Sequence, residues 1–277
     1  MFSIYHFWKN LFQYKTNFLS VNDLEDFPFN TDMLSCKNKG IFPDLAIRIN
    51  QDRLIFNGGE LIELKDSMSY TVSSFNSTIP TRRKKIKDLI LTENSSLRQK
   101  MEDAGDDVFS LPEREVYYLV RGRKKGHTKV CLVHGSFFET IHTDELIQQS
   151  FSQVLVERVQ KSGLQLSDRL KAEILSIFTD QRAFSKVRDI QKSSVKLRFR
   201  IMSEVKPEGN ILNARIYPQI EDDTLNFVLP FYSPEENAEH IRKLKLVLSQ
   251  DDFESFKVLT IKHPLNGEFV VFQSSLS

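Results

Sequence analysis

The chain has 277 residues, 40% of them hydrophobic, enough for one large domain or for a core with an appended lobe. Its apolar runs are short and broken by charges, far below the roughly 20 apolar residues a membrane span takes. Two cysteines, Cys36 and Cys131, are too few for a disulfide framework or a thiolate zinc site, and a net charge of +1 excludes a uniformly basic or acidic surface.

The opening segment, MFSIYHFWKNLFQYK, is aromatic, carries His6 and Lys9, and lacks a small-residue cleavage site. No signal peptide is expected there, and the chain is expected to stay in the cytoplasm. Ile4, Phe7, Trp8, Leu11, Phe12 and Leu19 fall near one face of a helix over 4–19. The alternation in PDLAIRI predicts a strand over 43–49, turned by NQD. RLIF (53–56) and ELIELK (60–65) follow around NGG, which fits one bulged strand as well as two short ones.

After a polar stretch over 66–81, the spacing of Ile86, Leu89, Ile90, Leu97 and Met101 predicts a helix over 82–104. EVYYLVRG (115–122) and TKVCLVHG (128–135) read as a hairpin. Helices are predicted over 143–161, with Thr143 as N-cap, and over 167–180. Strands over 193–205, 211–220 and 224–231 lead to a helix over 235–249, started by Pro234, and to a last hairpin over 256–272. The class is mixed α/β (α+β), with residues 1–140 expected as a core and 141–277 as an appended α+β region for recognition or dimerisation.

Charge is unevenly spread. Cations gather at TRRKKIK (81–87), RGRKKGHTK (121–129), KSSVKLRFR (192–200) and RKLK (242–245), and acids at EDAGDD (102–107), EDD (221–223) and PEE (234–236). A near-neutral total can therefore carry a basic face.

Concentrated chemistry lies in one stretch, FPDLAIRINQDRLIFNGGELIELKD (42–66). Cutting a phosphodiester with metal-activated water calls for a hard divalent ion, and Mg²⁺ takes oxygen ligands, commonly one or two carboxylates with substrate phosphate and water. Asp44 and Glu63 are suitable ligands, and the Leu64 carbonyl could supply a third oxygen. Strand alternation turns Glu63 and Lys65 the same way, with Ile62 and Leu64 expected in the core, and Leu45, Ile47 and Ile49 on the buried face of the preceding strand. A short hairpin would set Asp44 beside Glu63 and Lys65. The Lys65 ammonium could then hold the attacking water or stabilise charge on the phosphoryl group.

The Pro43-Asp44 pair, followed after 18 residues by Glu63-Leu64-Lys65, resembles the PD-(D/E)xK nuclease signature, whose superfamily includes most type II restriction endonucleases. The resemblance covers roughly 40–122. It implies a mixed β-sheet core flanked by helices, Mg²⁺-dependent hydrolysis of double-stranded DNA, Asp44 and Glu63 as metal ligands and Lys65 as the catalytic lysine. For a restriction enzyme it also implies a homodimer and a cognate DNA methyltransferase. Many members carry a further acid on a helix before the first strand, but 4–19 has none; Glu25 is the nearest, and alternation turns Glu60 away from Glu63. A rival constellation, Asp189 with EVK (204–206), lacks the preceding proline and the strand context.

Beyond the motif, Ser67, Ser69, Ser73, Ser74 and Asn76 offer groups for base and backbone contact, and Arg82, Arg83, Lys84 and Lys85 are expected to face phosphates. His134 and His142 lack a third ligand at metal spacing, and GRKKG (122–126) lacks the spacing of a nucleotide-binding loop. Two alternatives stand beside a restriction endonuclease: a repair-type nuclease on the same core, and a non-catalytic nucleic-acid-binding or interaction protein.

Overall fold

The computed structural model describes residues 42–49, 58–72, 74–76, 80–90, 95–103, 105–139, 143–179, 202–247 and 250–276. The helix predicted over 4–19, the segment 53–56, Glu25, Cys36, Ser73, His142 and Asp189 lie outside them. Among the described residues, ten strands are formed: β1 (Leu45–Ala46), β2 (Leu61–Ser67), β3 (Ser74–Asn76), β4 (Arg83–Lys85), β5 (Glu113–Lys124), β6 (His127–His134), β7 (Met202–Glu204), β8 (Thr224–Pro230), β9 (Lys257–His263) and β10 (Gly267–Ser275).

The result is a mixed α/β fold with an eight-stranded sheet flanked by helices. Its strand order is β1-β2-β5-β6-β8-β10-β9, with β4 paired to the start of β5. The β2/β5 and β6/β8 pairs are parallel and the others antiparallel. Strands β3 and β7 form a separate two-stranded sheet. The C-terminal strands β8, β9 and β10 extend the sheet that begins with β1.

Both faces of the sheet are apolar, because alternate residues of each strand feed different clusters. On one face, Ala46, Leu61, Val116, Tyr118, Val120, Cys131, Val133, Val228 and Val271 pack with Ile86, Ile90 and Met101 from the crossover between β2 and β5. That crossover is the connection a parallel pair requires. On the other face, Leu45, Ile62, Leu119, Val130 and Leu225 form a smaller cluster. Farther along it, Ile241, Leu244 and Phe253 cover Val270 and Phe272. The inside-outside pattern expected for 43–49 and 60–65 changes accordingly. Leu64 and Ile47 are 42% and 41% exposed, while Glu63 is 2% exposed on the face of the larger cluster.

The hairpin read over 115–135 forms with longer strands and a tighter turn, Lys125–Gly126. The helices Thr143–Ser162 and Asp168–Thr179 match the predicted spans within a residue or so. Pro234–Val247 starts at its proline, with the Ser233 hydroxyl accepting from the Glu236 N–H at 3.1 Å.

Two predictions fail. The helix predicted over 82–104 opens as β4, continues as the short helix Ile86–Leu89, and is helical again over Ser96–Asp103. Pairing with Glu113–Glu115 draws Arg83–Lys85 into extended form, and the Ile86 N–H goes to the Pro112 carbonyl at 2.9 Å. The strand predicted over 211–220 is a chain of turns. The Asn210 side chain accepts from the Leu212 N–H and donates to the Tyr70 carbonyl, a local alternative to a ladder, and Ile211, Leu212, Tyr217 and Ile220 reach the core from those turns. A further short helix, Gln250–Glu254, was not anticipated.

Gly135 has a packing reason. A β-carbon there would lie 2.1 Å from the Thr81 carbonyl oxygen, so only glycine lets the chain after β6 lie against the start of β4.

Candidate active site

Asp44, Glu63 and Lys65 share one face of the β1/β2 pair. Strands β1 and β2 pair as Leu45↔Ile62 and Ala46↔Leu61. The same register holds at the Ile47 N–H to Glu60 carbonyl bond of 2.8 Å and the Ile49↔Gly58 bridge. Extended by one residue, it sets Asp44 opposite Glu63, and directly opposed residues of an antiparallel pair project from the same face. Glu63 and Lys65 share that face by alternation. Lys65 Nζ lies 2.9 Å from Glu63 Oε1, in a site dry enough for the attraction to exceed that of a surface pair.

The next register step explains how Asp44 is held. Opposite Leu64 stands Pro43, which has no N–H to donate to the Leu64 carbonyl. The Leu64 N–H, which points the same way, donates to Asp44 Oδ2 at 2.8 Å. The ladder therefore ends in a carboxylate at the position where the Leu64 carbonyl turns outward. The motif's proline and aspartate thus have local structural consequences as well as chemical ones.

Aromatic rings line the site. Phe75 from β3, Tyr118 from β5 and Phe138 meet edge to face at 5.1, 5.1 and 5.0 Å, and Lys65 Nζ sits 5.2 Å from the Phe75 ring centroid. Tyr118 is the β5 register partner of Glu63. Its hydroxyl accepts the Thr81 N–H at 3.0 Å, and burial, reinforced by Glu63 and Glu139, raises its pKa. Glu139 accepts from the Thr81 hydroxyl at 3.1 Å and from the Arg82 N–H. None of these rings was singled out from the sequence; alternation places Tyr118 beside the motif strand only once the β2/β5 register is known.

At the far end of the sheet, Arg114 grips Asp106 through two bonds of 2.7 and 3.1 Å, both side chains buried. Glu60 points to the opposite face from Glu63. Burial there raises its pKa, partly offset by its own backbone hydrogen bond and by Arg114.

The residues expected at DNA are dispersed. Ser67 donates to the Thr71 carbonyl at 2.8 Å and accepts from the Ser69 N–H at 3.2 Å, a local turn just past Lys65. Ser74 and Asn76 sit in β3, in register with Glu204 and Met202 of β7. Arg82 is exposed, and Arg83, Lys84 and Lys85 form β4. Arg83 Nε donates to Glu115 Oε1 at 2.6 Å, and Glu115 also pairs with His134 Nε2 at 2.8 Å. Glu63 is level with Tyr118 and Arg83 with Glu115, a separation of roughly 10 Å at about 3.3 Å per residue. In the rival constellation, Glu204 and Lys206 are both exposed.

Asp44, Glu63 and the Leu64 carbonyl are all hard oxygen donors. Their number suits Mg²⁺, which keeps several waters and takes few protein ligands. Among the described residues, no group of three or more His, Cys, Asp or Glu side chains could hold a metal ion, and no helix is long and apolar enough to cross a membrane. No protein-family model, curated protein or solved structure matches the chain.

Proposed function

We propose that the chain is a Mg²⁺-dependent endonuclease that hydrolyses phosphodiester bonds of double-stranded DNA at specific sites, built on a restriction-endonuclease-like core. The observation that carries this reading is the register that sets Asp44 against Glu63, with Lys65 on the same face and 2.9 Å from Glu63.

In this reading Asp44, Glu63 and the Leu64 carbonyl hold the ion. When bound, it supplies a Lewis acid that lowers the pKa of water and neutralises phosphate charge. The Leu64 N–H orients Asp44, and Lys65 orients Glu63. The Lys65 ammonium has three donors; one faces Glu63, and the others serve the attacking water or the charge growing on the phosphoryl oxygens. Phe75, Tyr118 and Phe138 exclude water from one side, which strengthens each of these interactions. As a type II restriction enzyme, the chain would act as a homodimer in the cytoplasm, beside a DNA methyltransferase that protects the same sites.

One observation favours a second reading. Glu63 is 2% exposed and paired with Lys65, as in a structural ion pair, and a non-catalytic nucleic-acid-binding protein would need nothing more. Plasmid digestion separates the readings. Discrete bands with Mg²⁺, stopped by EDTA and absent in Asp44→Ala, Glu63→Ala and Lys65→Ala, support the site-specific endonuclease. A smear assigns a repair-type or nonspecific nuclease. Intact plasmid under all conditions favours the binder.

A further inference from the structure

The second basic run, RGRKKGHTK, has no part in the site described above, and the fold gives it a distinctive setting. Lys125 and Gly126 are the two loop residues of the β5–β6 hairpin, with φ of 52° and 85°. Two left-handed residues in a two-residue loop are the signature of a type I′ turn, which favours Asn-Gly or Asp-Gly. Lysine is ill suited to the first position, because its β-carbon is crowded in left-handed backbone. Packing does not ask for it either. A β-carbon on Gly126 would meet nothing within 4 Å, and Lys124, Lys125 and Gly126 are all exposed. A strained lysine at an unpacked tip points to a use for its charge.

Other cations stand behind it. On the face of the sheet opposite Glu63 and Lys65, Arg121 and Arg123 have side chains 49% and 41% exposed and share a single carboxylate, Asp66, at 2.8 and 3.0 Å. One carboxylate satisfies only part of the guanidinium pair. The acids across β6 are engaged: Asp222 lies 3.3 Å from Lys129, and Asp223 bonds His127, the residue that follows the turn, at 2.7 Å. The tip keeps a surplus of positive charge.

Its place is also informative. The hairpin projects from the carboxyl end of the parallel pair β2/β5, the end of an open sheet at which ligands bind, beyond Lys65, which is level with Val120. Strand β4, with the 82–85 run, pairs at the amino end of β5 and has Arg83 tied to Glu115. From Val120, level with Lys65, to Lys125 is roughly 17 Å, about five base-pair steps of duplex at about 3.4 Å each.

We infer that the tip of the β5–β6 hairpin, Lys124 and Lys125 backed by Arg121 and Arg123, docks the phosphate backbone of duplex DNA on the side of the site away from β4. The choice of DNA as the polyanion rests on the proposed nuclease function; the cationic surface does not.

The test is binding of a short labelled duplex to the full chain in EDTA, followed by fluorescence anisotropy across a salt series, with melting temperatures recorded in parallel. Lys125→Asn should weaken binding equally for unrelated sequences and flatten the slope of log K against log salt by about 0.9, the value of one released phosphate contact. The same variant should melt at a higher temperature, because asparagine is at ease in the left-handed turn. A purely structural role for Lys125 predicts no change in the salt slope. The double variant Lys124→Gln/Lys125→Asn should lose about twice as much slope.

Wild-type affinity and slope in both variants, with the wild type still cutting plasmid, would overturn the docking surface and leave the nuclease standing. A wild type that never cuts DNA, but whose duplex binding falls in both variants, would sink the nuclease and keep the surface. A wild type that binds no duplex, or that uses the tip only for anionic lipid vesicles, would overturn the inference outright.

Discussion

Asp44 has a structural and a chemical role, and two substitutions separate them. Its Oδ2 accepts the Leu64 N–H at 2.8 Å, and a hydrogen bond to a charged group contributes about 1.5–3 kcal/mol. The bond lies at the sheet edge, where water can replace the lost acceptor, so Asp44→Ala should cost near the lower figure, about 1.5 kcal/mol. Asp44→Asn keeps an oxygen acceptor in place and should cost under about 1 kcal/mol. At roughly 2–4 °C per kcal/mol for a chain near this size, the alanine variant should melt roughly 3–6 °C below wild type and the asparagine variant between the two. Circular dichroism melts in EDTA measure this free of metal. With Mg²⁺ at a hundredfold excess over its dissociation constant, the wild type should gain about 2.7 kcal/mol, and neither variant should gain it. An alanine variant as stable as wild type would refute the pinning of Asp44 by Leu64. An asparagine variant with the full Mg²⁺ gain would refute its role as a ligand.

Three other outcomes follow from the fold. Arg114→Met and Asp106→Leu should each destabilise by about 3–5 kcal/mol, because each leaves a buried charge alone, whereas the double variant should cost less than either; urea midpoints that simply add would contradict a coupled pair. Burial lowers the pKa of His263 below its usual 6.5, so the unfolded chain takes up the proton first. Stability should therefore fall as pH drops below about 6.5 and level off below the folded-state pKa. A His263→Gln variant, compared with wild type so that other histidines cancel, should lack that share of the acid loss, and identical pH profiles would contradict it. Burial pushes the Cys131 thiol up to about 12, so in a Cys36→Ser background native protein should resist a thiol reagent that labels the unfolded chain within minutes. Rapid native labelling would mean that the sheet opens there.

Local signals survived into the structure, and long-range pairings did not announce themselves. The β5–β6 hairpin was legible because two alternating runs flank a glycine turn, and the Asp44–Glu63 juxtaposition because a hairpin fixes its own register. The parallel pairing of β6 with β8, Lys129 to Thr224, joins segments far apart in the chain, which no periodicity encodes. The 82–85 run illustrates the competition. Ile86, Leu89 and Ile90 are spaced for a helix and do pack together, yet Arg83–Lys85 extend because the acidic start of β5 is there to pair with them. The burial of Glu63 was missed for a related reason. Alternation gives two faces but cannot tell which is covered, and here both are.

The central claim is that Asp44 and Glu63 jointly hold one divalent ion, and Mn²⁺ binding followed by its paramagnetic resonance spectrum tests it most directly. The account predicts one site per chain in the wild type and in Lys65→Met, and loss of that site in Asp44→Asn and in Glu63→Gln. Undiminished binding in either carboxylate variant, or no binding by the wild type at concentrations that saturate ordinary Mg²⁺ enzymes, would contradict it.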